Sequence, residues 1–202
     1  MSEKTQIAKM HIPHLKKKID ARVRRTRDAL GDALVELMQE KPFDSITVQD
    51  VLDRAQVGRS TFYSHFTDKD DLLMSDADEF FESISIALSV HGDKSDRVFP
   101  VKEFFMHIMD AKQFVDALKS SGKMHENFEL AQGHFARGIE RRLKEIPRGA
   151  AIPERETPIR AVAHAGALLS LLTWWIDRGM KETPEQMDSL FHRMVWGINN
   201  QE

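Results

Sequence analysis

The chain has 202 residues, of which 41% are hydrophobic and 30% charged, an ordinary composition for a soluble globular protein of one large or two small domains. It contains no cysteine, which excludes a disulfide framework and thiolate chemistry. The N-terminus lacks the apolar core of a signal peptide, and the most apolar run, residues 161–176, is short for a membrane span. We therefore expect a cytoplasmic protein.

The first 27 residues are strongly basic. They hold nine Lys and Arg against two acidic residues, a net charge of +7, whereas the remaining 175 residues carry −10. A basic segment joined to an acidic body is typical of a polyanion-binding element beside a part that does not bind polyanions. We expect residues 1–19 to form a basic, flexible arm; for residues 1–15 a solvated tail without DNA contacts is the alternative, whereas Lys16 to Arg27 are expected to contact phosphate or a minor groove. Arg24 and Arg25 are predicted to contact a DNA backbone or minor groove.

A first helix is predicted from about residue 20 to residue 40. Its apolar residues recur at helical spacing and form one buried stripe: Leu30, Ala33, Leu34, Leu37 and Met38. Lys41-Pro42 ends this helix, because proline cannot continue the hydrogen-bond ladder.

Residues 43–73 contain two short helical patterns separated by a tight turn, followed by the start of another helix. Thr47 can cap the first pattern, which breaks at Gln56-Val57-Gly58 and restarts at Arg59. Two helices of about eight residues joined by a turn of roughly three have the size of a helix-turn-helix.

The second of these helices has one apolar and one polar face. Phe62 and Phe66 are neighbours at i,i+4 and point into the core. The opposite face is small and hydroxyl-rich (Ser60, Thr61, Tyr63, Ser64), with Arg59 at its leading end. Such a face fits a major groove, where Arg binds the O6 and N7 atoms of guanine through two hydrogen bonds. Lys69 lies in the first turn of the next helix, where free N–H groups attract phosphate.

The string ITVQDVLDRAQVGRSTFYSHFTDKDDLL resembles the DNA-binding domain of the tetracycline-repressor (TetR) family of bacterial regulators. The resemblance is strong over residues 22–75 and covers the remainder in outline. It implies that Tyr63, His65 and Lys69 contact phosphate, and we expect Thr47 and Thr61 to do so as well. Gln56 stands where the family has the turn glycine.

The rest of the chain predicts an all-α fold. A long helix continues from Leu73 to about His91, a loop follows at residues 92–100, and four further helical patterns come after it. We place an N-terminal three-helix, helix-turn-helix DNA-binding domain at residues 20–75 and a C-terminal helical ligand-binding and dimerisation domain at residues 76–202.

Of the last two predicted helices, the first is apolar on more than one face and the second has one apolar stripe; small residues in the first would allow another helix to approach closely. Two such helices from each of two chains would form a four-helix bundle. This region also looks like the dimerisation region of many TetR-type regulators, although a purely internal core is the alternative. The predicted interface residues are Leu168, Leu172, Trp175, Leu190, Phe191 and Met194.

Phenylalanine and methionine residues are frequent in the predicted C-terminal domain and would suit a small apolar or aromatic inducer, the usual control in the family. The candidate pocket residues are Phe105, Met109, Phe128, Phe135 and His164, with core packing as the alternative for each.

No cofactor, metal site or enzyme is expected, because the sequence lacks an HExxH motif, a close His/Cys cluster, a Gly-rich phosphate loop and a GxSxG motif. Three hypotheses remain. The first is a homodimeric repressor that binds a palindromic operator in double-stranded DNA and is released by an inducer. The second is an architectural, nucleoid-associated DNA-binding protein of the same fold without an inducer. The third is an enzyme or protein-interaction module on a retained scaffold.

Overall fold

A computed structural model describes residues 21–197 of the chain. Within this range the chain forms nine α-helices and no strand, which confirms the predicted all-α class. The helices are α1 (Ala21–Glu40), α2 (Val48–Ala55), α3 (Arg59–Tyr63), α4 (Lys69–Val90), α5 (Val101–Asp110), α6 (Lys112–Ser120), α7 (Met124–Glu145), α8 (Thr157–Asp177) and α9 (Pro184–Trp196). Short 3-10 helices lie at Phe43–Ser45, Pro147–Ala151 and Glu154–Glu156. The predicted basic arm at residues 1–19 lies outside the described residues.

The described chain divides into two compact units. Residues 21–80 together with Ala111–Asn127 form the N-terminal unit, and Phe81–Asp110 together with residues 128–197 form the C-terminal unit. Helix α4 contributes residues to both. The segment 111–127, which the sequence analysis assigns to the second domain, clusters with the helix-turn-helix instead.

The N-terminal unit is built on α1. The whole predicted stripe of this helix, from Leu30 to Met38, is buried. It packs against apolar residues of α2, α3 and the start of α4, including Val51, Phe62 and Leu72. Leu118 of α6 is buried in the same core. The recognition elements therefore rest on a single apolar cluster to which a segment distant in sequence contributes.

The C-terminal unit has an aromatic core. The ring of Phe135 on α7 lies 4.5 Å from that of Phe99 and 5.2 Å from that of Phe104, measured between centroids. Phe105 packs at 4.8 Å against Trp175 of α8. Buried aromatic side chains contribute large apolar areas to a core, and edge-to-face pairs add about 0.5–1.5 kcal/mol each.

Residues 91–100 connect α4 to α5 where the sequence predicts a loop at residues 92–100, and a buried arginine holds this connection. Arg142 on α7 is only 5% exposed, and its guanidinium donates to the carbonyl oxygens of Asp93, Ser95 and Arg97 at 2.7–2.9 Å. A buried cation is tolerated when hydrogen bonds and nearby carboxylates compensate its charge. The loop is thereby tied to α7.

Helix α9 begins as its sequence predicts. Pro184 occupies the first turn, and Thr183 forms a reciprocal capping box with Gln186. Among the described helices, the stretch Glu154–Asp177 is long and apolar enough, by length and composition, to pass for a membrane span. Ala165, Leu168 and Leu172 on one face of α8 are buried within the C-terminal unit, so core packing accounts for part of that apolar character.

Candidate nucleic-acid interface

A capping box fixes the start of α2. The Thr47 hydroxyl accepts from the N–H of Asp50 at 3.1 Å, and the Asp50 carboxylate accepts from the N–H of Thr47 at 2.7 Å. Lys41 forms an ion pair with the same carboxylate at 2.9 Å. The backbone N–H of Thr47 and the Lys41 ammonium hold the pKa of Asp50 well below its usual range. Thr47 is exposed at the predicted position, but its hydroxyl is already used in the cap.

The turn between α2 and α3 contains a left-handed residue that is not glycine. Gln56 has φ 55° and ψ 40°, and its N–H and that of Val57 both donate to the carbonyl of Leu52. A side chain in this conformation costs about 1–2 kcal/mol relative to glycine. Gly58 then caps α3 in an extended conformation, as glycine does at many helix starts. The predicted helix-turn-helix is thus present, with strain at Gln56.

Helix α3 presents the two predicted faces, although it is shorter than the eight residues predicted and ends at Tyr63. Phe62 and Phe66 are buried, with ring centroids 5.7 Å apart. The predicted groove-facing residues are all exposed: Arg59, Ser60, Thr61, Tyr63 and Ser64. His65 is half-buried beside Phe66. The phenylalanines anchor the helix, so its hydroxyl-bearing face is turned to solvent.

The exposed face of α2 adds a residue that the sequence analysis missed. Nη2 of Arg59 donates to Oε1 of Gln49 at 2.9 Å, and Nε2 of Gln49 donates to Oδ1 of Asp53 at 2.7 Å. Gln49 and Asp53 are exposed and one turn apart on α2. Their i,i+4 spacing places them on one helix face, but only the folded turn brings that face to Arg59. Gln49 thereby fixes where the Arg59 guanidinium lies.

The Lys69 ammonium is partly engaged inside the N-terminal unit. Its Nζ donates to the carbonyl oxygens of Phe43 and Ile46 at 2.6 and 2.8 Å and lies 4.4 Å from the centroid of the Phe43 ring. Two of its three N–H donors are therefore engaged inside the unit. Lys69 therefore holds the turn that precedes α2, and one donor is left for the phosphate contact, which stays a prediction.

The arginines at the start of α1 differ in their exposure and in their partners. Arg25 is exposed and lines a cleft of about 440 Å³ beside the helix-turn-helix turn, where a phosphate or sugar edge could be seated. The cleft residues are Arg22, Arg25, Thr26, Ala29 and Val57. Arg24 is half-buried and does not line it. Arg27 instead forms an ion pair with Glu79 at 2.8 Å.

The five predicted pocket residues of the C-terminal unit do not share one environment. Phe105 and Phe135 are fully buried and packed against neighbouring rings, so they fill the core instead of lining a space. Met109 is 43% exposed. Phe128 and His164 are half-buried, and burial lowers the pKa of His164. The pocket prediction is therefore corrected for Phe105 and Phe135, which have no surface to offer a ligand.

The predicted dimer residues require a similar correction. Leu168, Leu172, Trp175 and Phe191 are at most 2% exposed within the single chain, so their side chains cannot contact a partner. The alternative of internal core packing describes these four. Of the other two, Leu190 is half-buried and Met194 is 49% exposed. A different set of apolar residues is exposed on α8: Ile159, Val162 and Trp174.

Over residues 21–197, no group of three or more His, Asp or Glu side chains is arranged to hold a metal ion. The acidic and basic side chains of the candidate interface instead pair with each other or with backbone groups. The arrangement at α2 and α3 can bind a polyanion and present hydrogen-bonding groups to base edges.

The chain matches two family models. One, described as bacterial regulatory proteins of the tetR family, covers residues 30–75, and the other, described as a transcriptional regulator C-terminal region, covers residues 101–197. Over 60 residues the chain is 40% identical to the "Uncharacterized HTH-type transcriptional regulator YxbF" of Bacillus subtilis (strain 168). That match spans 29% of this chain and only 16% of the relative.

Solved structures resemble most of the chain. A TetR transcriptional regulator from Streptococcus agalactiae 2603V is 26% identical, with a TM-score of 0.59 over 86% of this chain and 95% of that one. The fatty acid degradation regulator FadR from Bacillus halodurans shares the fold at 17% identity, with a TM-score of 0.64 over 92% of this chain and 100% of that one. Because the two family models together span most of the sequence and the solved structure at 26% identity bears the same family name, the chain belongs to the TetR family of transcriptional regulators.

Proposed function

We propose that this protein is a sequence-specific DNA-binding regulator that acts as a homodimer on a palindromic operator and represses transcription until a small inducer releases it. The observation that carries the proposal is the exposed hydroxyl-bearing face of α3, with Arg59 held at its leading end by Gln49. Short side chains allow close approach to a major groove, and Arg59 supplies bidentate recognition of guanine.

Base recognition and backbone contact are assigned to different residues. Arg59 and Gln49 lie side by side, so they face adjacent base pairs, and each good bidentate contact discriminates by about 1–3 kcal/mol. Ser60, Thr61 and Ser64 line the same face. Backbone contacts come from Tyr63, which is 51% exposed, from half-buried His65 and from Arg25 in its cleft. We place Thr47 and Arg24 at the edge of this surface.

Dimer formation is supported by the exposed apolar side chains of α8 and α9. Ile159, Val162, Trp174 and Met194 are 40–68% exposed, and exposed large apolar residues at helical spacing suit a helix from a second copy. Two recognition helices related by a twofold axis would bind half-sites about one helical turn of DNA apart.

The inducer is assigned to the C-terminal unit and is small and apolar or aromatic. Met109, Phe128 and His164 have surface to offer it, whereas the core phenylalanines are packed. A regulator of this kind acts in the bacterial cytoplasm, bound to the nucleoid.

The test is selection of bound sequences from a random DNA duplex library, followed by titration of the winner with Arg59→Ala and with Arg54→Ala. Arg54 is a matched control because its guanidinium is engaged by Glu36 and Glu40 of α1 at 2.8–3.2 Å. The proposal expects a palindromic winner, a loss of preference at one base position per half-site for Arg59→Ala, and little change for Arg54→Ala. Salt-sensitive binding to every duplex alike would support the architectural alternative.

A further inference from the structure

A half-buried carboxyl group in the N-terminal unit lies between two helices. Asp76 lies on α4 and faces Gly31 of α1, and a Cβ placed on Gly31 would lie 1.9 Å from Oδ2 of Asp76. The carboxyl group therefore occupies the space that any other residue at position 31 would fill. Removal of this carboxyl from water makes its ionised form less favourable.

The charged groups around Asp76 are mainly acidic. Asp28 and Asp32 approach from α1, and Glu79 lies one turn further along α4. The cation that faces this cluster is Arg27 of α1, which pairs with Glu79 at 2.8 Å. Arg27 also donates to Oγ of Ser75 at 2.6 Å and lies 4.9 Å from the centroid of the Phe66 ring. Its position is thus fixed by other partners, and its charge affects the Asp76 carboxyl less than that of any of the three neighbouring carboxylates does.

These surroundings favour the protonated form. Burial first, and then the charges of Glu79, Asp32 and Asp28, raise the pKa of Asp76 from its ordinary value of 3.8 to about 7. A protonated carboxyl adds no charge to the acidic cluster and packs over Gly31.

We propose that Asp76 is a proton-sensitive latch between α1 and α4. When Asp76 is protonated, α1 and α4 pack closely at the point where Gly31 has no side chain. When Asp76 is ionised, it places a fourth negative charge in the acidic cluster and loosens the packing of α1 on α4. Because α1 is the platform of the helix-turn-helix, ionisation would also weaken DNA binding. That last step rests on the proposed function, whereas the latch itself does not.

The size of the effect follows from proton linkage. If a loosened state returns Asp76 to its ordinary pKa, the equilibrium constant for loosening rises about tenfold between pH 6 and pH 8. Most of the rise comes below pH 7, because above that pH the carboxyl is ionised in both states. A substitution that removes the ionisable group removes this rise.

The test is hydrogen–deuterium exchange of the full chain at pH 6, 7 and 8. The opening constant of α1 amides is obtained after correction for the intrinsic pH dependence of exchange. We expect an increase of about tenfold for the wild type and for the control Asp44→Asn, which removes an exposed carboxyl elsewhere in the unit, and no increase for Asp76→Asn. The same pH dependence in wild type and Asp76→Asn would overturn the proposal.

A second variant keeps the proposal testable if Asp76→Asn folds poorly. Asp28→Asn removes one repelling neighbour, so the pKa of Asp76 should fall and the rise in opening should level off at lower pH, which makes the increase between pH 6 and pH 8 smaller than in the wild type; an unchanged increase would count against the latch. Binding of the selected duplex is measured in parallel. If α1 exchange shows the expected pH dependence but the protein binds no DNA at any pH, the proposed function is refuted and the latch is retained. If α1 exchange does not depend on pH but the protein binds DNA tightly, the latch is refuted and the proposed function is retained.

Discussion

Lys69→Met separates an internal role for this lysine from a contact with phosphate. The substitution keeps the apolar stem and removes the ammonium, which donates to the carbonyls of Phe43 and Ile46 at 2.6 and 2.8 Å and lies over the Phe43 ring. These carbonyls belong to the turn immediately before the Thr47 cap. Loss of the ammonium should therefore loosen the start of α2.

The magnitude follows from the contacts. A hydrogen bond to a charged donor contributes about 1.5–3 kcal/mol, and a cation–π contact at a partly exposed site about 0.5–1 kcal/mol. Because water can replace part of both, we expect Lys69→Met to lower the free energy of unfolding by about 2–3 kcal/mol. Urea denaturation followed by circular dichroism measures this change. Lys181→Met, an exposed lysine of the C-terminal unit, is the charge-matched control and should change stability little.

A second measurement on Lys69→Met is its DNA affinity as a function of salt concentration. A lysine that neutralises a phosphate contributes about 0.9 to the slope of log affinity against log salt. An internal Lys69 predicts weaker binding with an unchanged slope. A reduced slope with unchanged unfolding energy would refute the reasoning and restore the phosphate contact.

Four further predictions concern stability and assembly. Gln56→Gly should raise the free energy of unfolding by about 1 kcal/mol, because it removes a side chain from a left-handed residue; a loss in urea denaturation would contradict this. Gly31→Ala should destabilise the N-terminal unit, seen as a lower thermal midpoint, since its methyl group would meet the Asp76 carboxyl. The Asp76 pKa is raised in the fold, so its contribution to stability is fully present below about pH 4 and is lost as pH rises to about 7, by up to roughly 4 kcal/mol; calorimetry should show this loss in wild type and not in Asp76→Asn. Val162→Asp should shift sedimentation toward the monomer, and an unchanged dimer would exclude that face of α8.

The local elements of the helix-turn-helix could be predicted because their signals are local. The Thr47 cap and the buried Phe62 and Phe66 follow from residue type and helical spacing alone. The partners of Lys69 could not be predicted, because its carbonyl acceptors lie 23 and 26 residues away in sequence. Spacing shows that a lysine lies at a helix start but not which polar groups the fold brings within reach.

The last two helices show a different limit. Helix α8 is apolar around much of its circumference, so its sequence does not say which face meets the core. The fold buries Leu168, Leu172 and Trp175 and exposes Val162 and Trp174. The packing of α6 in the N-terminal core also could not be predicted from the sequence. An apolar residue such as Leu118 could be buried in the core of either unit.

Selection from a random duplex library, performed in parallel with wild type and Arg59→Ala, tests the central claim most directly. We expect a palindromic winner for the wild type and, for Arg59→Ala, lost preference at one base pair in each half-site with the remaining positions retained. An Arg59→Ala profile identical to that of the wild type, or no enriched sequence for either protein, would contradict it.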